Sequence, residues 1–313
     1  FLFATKNGDF YSLLINTRLS KDLNQRNPET LQRVPQVVFS SLKQPLWNTP
    51  LYYQVLSSYD YFWREEGLKG NRIDLYPRLS WPMNRGGWIT FVPEVGVRGI
   101  SYFGLSENDD YDKSNFFPDM HAELYLTFLR IFQINKWQID KVKHTVVPRL
   151  EYEYVPDFQQ EDFPQFDYPK TFNTVHRISY SLTNRFTGLM VGDNGEQYDR
   201  EFGYLKIGQA YSLRRPFDIF YGKQQLVRDR LTDLFAELRF DFINMLYFKT
   251  KAGYNPNDNN LSYYNALLAW ENMRGEYLDL SYRYERNRLE QWDARGRLKV
   301  YRPFYCFFDS TYN

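Results

Sequence analysis

Apolar and polar residues alternate one by one along much of this chain. Leu278, Leu280, Tyr282 and Tyr284 alternate with Asp279, Ser281, Arg283 and Glu285. Leu150, Tyr152 and Tyr154 alternate with Glu151 and Glu153. Ile73, Leu75, Leu79 and Trp81 alternate with Arg72, Asp74, Arg78 and Ser80. Successive side chains of a strand point to opposite faces, so each stretch predicts a strand with one greasy and one wet face. No long segment keeps apolar residues at helical spacing behind a cap.

Turn signals separate these stretches. The clearest are Asn27-Pro28, Asn84-Arg85-Gly86-Gly87, Gly192-Asp193-Asn194-Gly195 and the run from Asn255 to Asn260. Longer polar or proline-containing connections are expected at Ser106–Asn115, Asp157–Thr171 and Arg214–Arg230. The pattern predicts an all-β, antiparallel chain of about 15 long strands. Many reach ~10 residues, above the usual length in soluble sheets. No composition shift marks an internal boundary, so residues 1–313 read as one domain. The chain starts without Met, and both Phe1–Gly8 and Phe304–Tyr312 are strand-like. It is therefore expected to be a fragment of a longer protein.

Composition sharpens the pattern. Of 313 residues, 19% are aromatic, with 27 Tyr, 26 Phe and 7 Trp. The average residue is nevertheless hydrophilic. Alternation reconciles the two, because averaging hides an apolar face. No apolar run approaches the ~18 residues of a spanning helix. With 39 Lys+Arg against 38 Asp+Glu, the net charge is +1. A nucleic-acid partner is not expected, since such proteins carry a basic excess.

Two arrangements fit. In a soluble sandwich the apolar face turns inward. In an outer-membrane barrel it meets lipid, and the polar face lines the lumen. Strand length, the many charges on the polar faces and aromatics at strand ends favour the barrel. The aromatics include Tyr59, Tyr61, Phe62, Trp63, Phe116 and Phe117, which suit an interfacial girdle. Pro35, Pro77, Pro82, Pro93 and Pro148 each remove a ladder donor. They read either as strand ends and bulges, or as weak pairing that lets a wall open.

Catalytic chemistry is not expected. Glu151 and Glu153 share a strand face, but alternation accounts for them without a hydrolytic pair. His121, His144 and His176 are far apart and lack ligand spacing, so no metal site is expected. No nucleophile elbow or phosphate-binding glycine loop appears, and no cofactor is expected. The acidic run from Glu107 to Asp112 lacks the spacing of a calcium loop and reads as a solvated loop.

The proline-centred segments resemble the lipopolysaccharide-assembly outer-membrane protein family, the LptD (OstA) family, in its C-terminal barrel region. The segments are Arg33-Val34-Pro35-Gln36-Val37, then Gly70-Asn71-Arg72-Ile73-Asp74-Leu75-Tyr76-Pro77-Arg78-Leu79-Ser80-Trp81-Pro82. Pro93-Glu94-Val95-Gly96-Val97-Arg98 with Tyr102, and Val147-Pro148-Arg149-Leu150-Glu151-Tyr152-Glu153-Tyr154-Val155-Pro156, follow, with Phe166-Asp167 after a loop.

The resemblance implies a partial outer-membrane β-barrel of a Gram-negative bacterium, lacking its first and last strands and the periplasmic N-terminal domain. The implied role is insertion of lipopolysaccharide into the outer leaflet. The implied partners are lipopolysaccharide, an LptE-like plug lipoprotein, periplasmic lipopolysaccharide-bridge proteins and outer-membrane lipid. A porin-like channel and a soluble glycan-binding domain are the alternatives. Arg72, Arg78, Arg98 and Arg149 are candidates to line the lumen and meet lipid phosphate, with Lys249 and Lys251 beside them. The plainer reading makes them solvated lumen residues. The resemblance also implies that Cys306 pairs with the N-terminal domain; a free or buried thiol is the other reading.

Overall fold

The structure, a computed structural model, describes residues 2–20, 28–104, 112–136, 139–157, 166, 174–191, 195–214, 217–221, 225–242, 245–301 and 304–313. Of residues 217–221, 225–228 and 242 only the backbone is described. The acidic run from Glu107 to Asp112 lies almost wholly outside the described residues. So do most of the connection from Asp157 to Thr171 and the turn residues Asn27, Gly192, Asp193 and Asn194.

Strands occur throughout. In chain order they are β1 (Leu2–Asn7), β2 (Tyr11–Arg18), β3 (Gln32–Ser41), β4 (Gln44–Pro45), β5 (Tyr52–Trp63), β6 (Gly70–Ser80) and β7 (Met83–Arg85). Next come β8 (Ile89–Phe103), β9 (Lys113–Leu126), β10 (Phe128–Lys136), β11 (Ile139–Val155), β12 (Val175–Val191) and β13 (Gln197–Ser212). The last are β14 (Phe217–Tyr221), β15 (Gln225–Asp229), β16 (Leu234–Phe242), β17 (Leu246–Asn255), β18 (Asn260–Glu271), β19 (Tyr277–Glu285), β20 (Leu289–Tyr301) and β21 (Phe304–Tyr312). Fifteen of them run nine residues or more. Nineteen belong to one sheet, and β14 and β15 pair separately. Neighbours pair antiparallel, as in β5–β6, β6–β8 and β17–β18. No helix among the described residues is long and apolar enough to cross a membrane.

The predicted turns close hairpins by local chemistry. At Asn84–Gly87 the Gly87 amide donates to Asn84 Oδ1 at 3.0 Å, and Gly86 and Gly87 take φ of 63° and 74°. Glycine has no Cβ to oppose that conformation. After Asn255, the Asn257 amide donates to Asn255 Oδ1 at 2.8 Å, and Asn259 takes φ 55°. The expected plain connection at Arg214–Arg230 instead holds the β14–β15 hairpin. Its two five-residue strands lie among Arg214, Arg215, Lys223, Arg228 and Arg230, which mask a short alternating pattern.

The chain divides into two compact units. The first comprises Phe1–Met83, Phe91–Glu123 and Tyr152–His176. The second comprises Asn84–Thr90, Leu124–Glu151 and Arg177–Asn313.

In the first unit the two faces of the sheet are inverted relative to a soluble protein. On β6, Arg72, Asp74 and Ser80 are 4%, 7% and 3% exposed, whereas Ile73 and Leu75 are 40% and 46% exposed. On β8, Glu94 is buried while Val95 and Val97 stand exposed. Buried apolar residues gather in one cluster of Phe62, Ile100, Tyr102, Phe117 and Phe166, flanked by Leu31, Leu68 and Val155. Phe166 stacks on Phe62 with centroids 4.7 Å apart. A Cβ on Gly70 would sit 2.9 Å from Phe166 Cζ, so the missing side chain makes room for that ring.

This divides the aromatics expected at a girdle. Trp63 and Phe116 are exposed, whereas Phe62 and Phe117 are buried in the cluster. Adjacent strand residues face opposite ways, so consecutive aromatics cannot all reach one surface.

Candidate functional site

The polar face of β5, β6, β8 and β9 carries a network of paired charges. Register sets it: Arg72 lies opposite Asp60 on β5 and opposite Tyr102 on β8. Arg72 Nη2 bonds Asp60 Oδ2 at 2.7 Å, and both side chains are almost wholly buried. Gln36 Nε2 donates to the other carboxylate oxygen of Asp60 at 2.6 Å. The Arg72 guanidinium also lies 5.1 Å from the Phe62 ring centroid, joining the network to the apolar cluster.

Two residues further along β6, Asp74 accepts two bonds from Arg98. They run Nε to Oδ1 at 2.9 Å and Nη2 to Oδ2 at 2.5 Å. Such a fork fixes both position and plane of the guanidinium. Arg78 bonds Glu94, which also receives Lys43. The Tyr76 hydroxyl donates to Asp119. Arg78 and Arg98 both lie over the Tyr76 ring, at 5.1 and 5.5 Å from its centroid. Gly96 makes this approach possible. A Cβ there would meet Asp119 Oδ1 at 2.0 Å and Tyr76 Cε2 at 2.7 Å.

Two of the four arginines singled out in the sequence, Arg78 and Arg98, therefore meet over the Tyr76 ring, and Arg72 pairs with Asp60 further along the same face of β6. The fourth, Arg149, belongs to the second unit and bonds Glu151 at 2.6 Å. Lys251 faces Glu237 on β16 at 3.6 Å. Lys249 lies opposite Arg239, whose Nη2 reaches Glu201 at 3.6 Å.

The prolines take different places. Pro35 lies in β3 where its register with β5 shifts, between Arg33 and Gln36, which is a bulge. Pro82 follows the end of β6, while Pro93 and Pro148 lie within β8 and β11. Pro77 is mid-strand. The β6–β8 pairing runs from Asn71 to Leu75 and resumes from Arg78 to Ser80 in the same register. Cys306 is exposed on β21, opposite Leu298 on β20.

A sheet that buries its charges on one face and presents Ile, Leu and Val on the other is built against lipid, not water. The class is that of proteins that cross a membrane with antiparallel strands. The profile of the family described as LPS transport system D matches residues 3–302, and the chain belongs to that family. Among its relatives is the LPS-assembly protein LptD of Nitrosococcus oceani, 26% identical over 251 residues, covering 74% of this chain and 32% of that protein. The protein of that name in Ralstonia nicotianae is 23% identical over 299 residues, covering 88% and 36%. That of an Azoarcus species is 26% identical over 298 residues, covering 88% and 35%. This chain thus spans about a third of the length of these relatives.

Proposed function

We propose that this chain forms part of the wall of an outer-membrane barrel that inserts lipopolysaccharide into the outer leaflet. Family membership supports the role, and one observation carries the placement in the membrane: buried Arg72 and Asp74 alternate with exposed Ile73 and Leu75. Polar side chains then line a hydrated lumen for sugars and phosphates, and the apolar face meets acyl chains.

On this reading Arg72, Arg78, Arg98 and Arg149 belong to the lumen wall with their charges already balanced. Lipid phosphate would compete there with Asp60, Glu94, Asp74 and Glu151. An LptE-like lipoprotein plugs the lumen, and periplasmic bridge proteins deliver the cargo. Exposure of Cys306 on β21 leaves it open to a disulfide with an N-terminal domain.

Depleting the full-length protein in its own cell and labelling surface lipopolysaccharide tests the role. Loss of new surface lipopolysaccharide, restored by re-expression, is expected. Undiminished surface delivery with reduced uptake of small solutes would replace this reading with the porin-like one.

A further inference from the structure

In the second unit a hollow of about 560 Å³ lies across β16 to β20, and Met245, Leu246 and Trp270 line it beside its polar residues. One row of cross-strand neighbours builds its floor. Asp241 lies opposite Tyr247, Tyr247 opposite Ala269, Ala269 opposite Asp279, and Asp279 opposite Arg295. Four of the five are large or charged, and Ala269 in the middle is small. That alanine is among the residues that line the hollow. Its border includes Arg200, Glu271 and Tyr277.

The charges of this border are mixed. Arg200 bonds Asp241 at 2.9 Å, and Arg295 reaches Asp309 at 3.4 Å. An inorganic anion entering the hollow meets Asp241, Glu271 and Asp279. A bare metal cation meets two guanidiniums. A neutral polyhydroxylated molecule satisfies both kinds of group. Carboxylate oxygens accept from its hydroxyls, and guanidinium N–H groups donate to its oxygens. Tyr247 and Trp270 add aromatic surface on which a sugar ring can pack, while the Tyr277 ring already has the Arg297 guanidinium over it, 5.5 Å from its centroid. A few polar groups converging among aromatic walls is the usual make-up of a small-molecule site.

We infer that the hollow lined by Ala269 is a binding site for a neutral sugar unit. Sugar binding is read from the residues alone. Only the source of the sugar, cargo or free glycan, rests on the export reading.

The test uses the full-length protein in detergent and saturation-transfer NMR. Two probes are compared: maltohexaose, and deacylated lipopolysaccharide. Ala269→Leu fills the hollow without changing charge, and Tyr247→Ala removes one wall. Binding of either probe, weakened at least about tenfold by both substitutions, is the expected result. Should Ala269→Leu lose the folded gel mobility, Tyr247→Ala alone decides. Response to deacylated lipopolysaccharide only assigns the site to cargo, and response to maltohexaose only assigns it to a free glycan. No response to either probe overturns the inference. So does binding untouched by the substitutions, or displacement of the sugar by inorganic phosphate or calcium. Failure of the export reading would show separately, as undiminished surface lipopolysaccharide on depletion.

Discussion

Arg98 on β8 grips Asp74 on β6 through two parallel bonds, beside the point where Pro77 interrupts the pairing of the same two strands. Proline brings no amide hydrogen to a ladder. The fork supplies a link between the strands where the backbone supplies less. The wall of the first unit is thus fastened by side chains at its proline. Asp74→Asn keeps the shape and removes the charge. It is expected to cost about 2–3 kcal/mol, since Asp74 is nearly buried and the fork to Arg98 loses one of its two charges. The midpoint of heat modifiability in detergent gels measures this. Adding Arg98→Gln should cost less in the Asp74→Asn background than in the wild type, because the two residues act as one unit. Strict additivity would refute the coupling.

Gly96 is the position where a single methyl group does most harm to the network. Its Cβ would fall on both the Asp119 carboxylate and the Tyr76 ring, two groups bonded to each other. Gly96→Ala is expected to destabilise by about 1–3 kcal/mol through overpacking. Asp119→Ala in the same chain should recover part of that loss by vacating one of the two contacts. If the double variant is no more stable than Gly96→Ala, the clash lies elsewhere.

How much of this was legible in the sequence differs from residue to residue. The alternation through Arg72, Ile73, Asp74 and Leu75 gave the strand at once, since a period of two needs only neighbours. It did not say which face is buried, because a soluble sandwich has the same period. The burial of Arg72 and Asp74 decided that. Arg72, Arg78 and Arg98 were visible as charges, but their partners were not. Asp60 lies 12 residues from Arg72, and Asp119 lies 43 from Tyr76. Such pairs appear only once strand register is known. Gly96 and Ala269 were silent for a simpler reason. Each acts through the side chain it lacks, and only the neighbours reveal the space.

The turn between β18 and β19 is expected to respond to acid. Asn272 Nδ2 donates to Glu276 Oε2 at 2.6 Å, and the Lys299 amide donates to Glu276 Oε1 at 3.2 Å. Both bonds favour the carboxylate and hold its pKa below the ordinary glutamate value, the Asn272 bond foremost. A lowered pKa means that the stabilisation is present above the unfolded-state pKa and fades as pH falls through the folded one. The turn should therefore loosen in acid and not in base. Asn272→Ala is expected to bring the Glu276 titration, followed by carboxyl NMR, back towards the ordinary value. An unchanged titration would remove Asn272 from the explanation.

Leu75 tests the assignment of the two faces directly. It is 46% exposed and lies on the face opposite Asp74. In water, an arginine at such a position is close to neutral for stability. In lipid, an arginine near the bilayer midplane costs about 2–4 kcal/mol, because its charge must be dragged toward the interface. Leu75→Arg in the full-length protein should accordingly lower its folding stability in lipid vesicles by an amount in that range. Leu75→Ile, which alters shape but not polarity, should leave it nearly unchanged. Equal stability of Leu75→Arg and wild type in vesicles would show that this face does not meet hydrocarbon, and the membrane placement would fall with it.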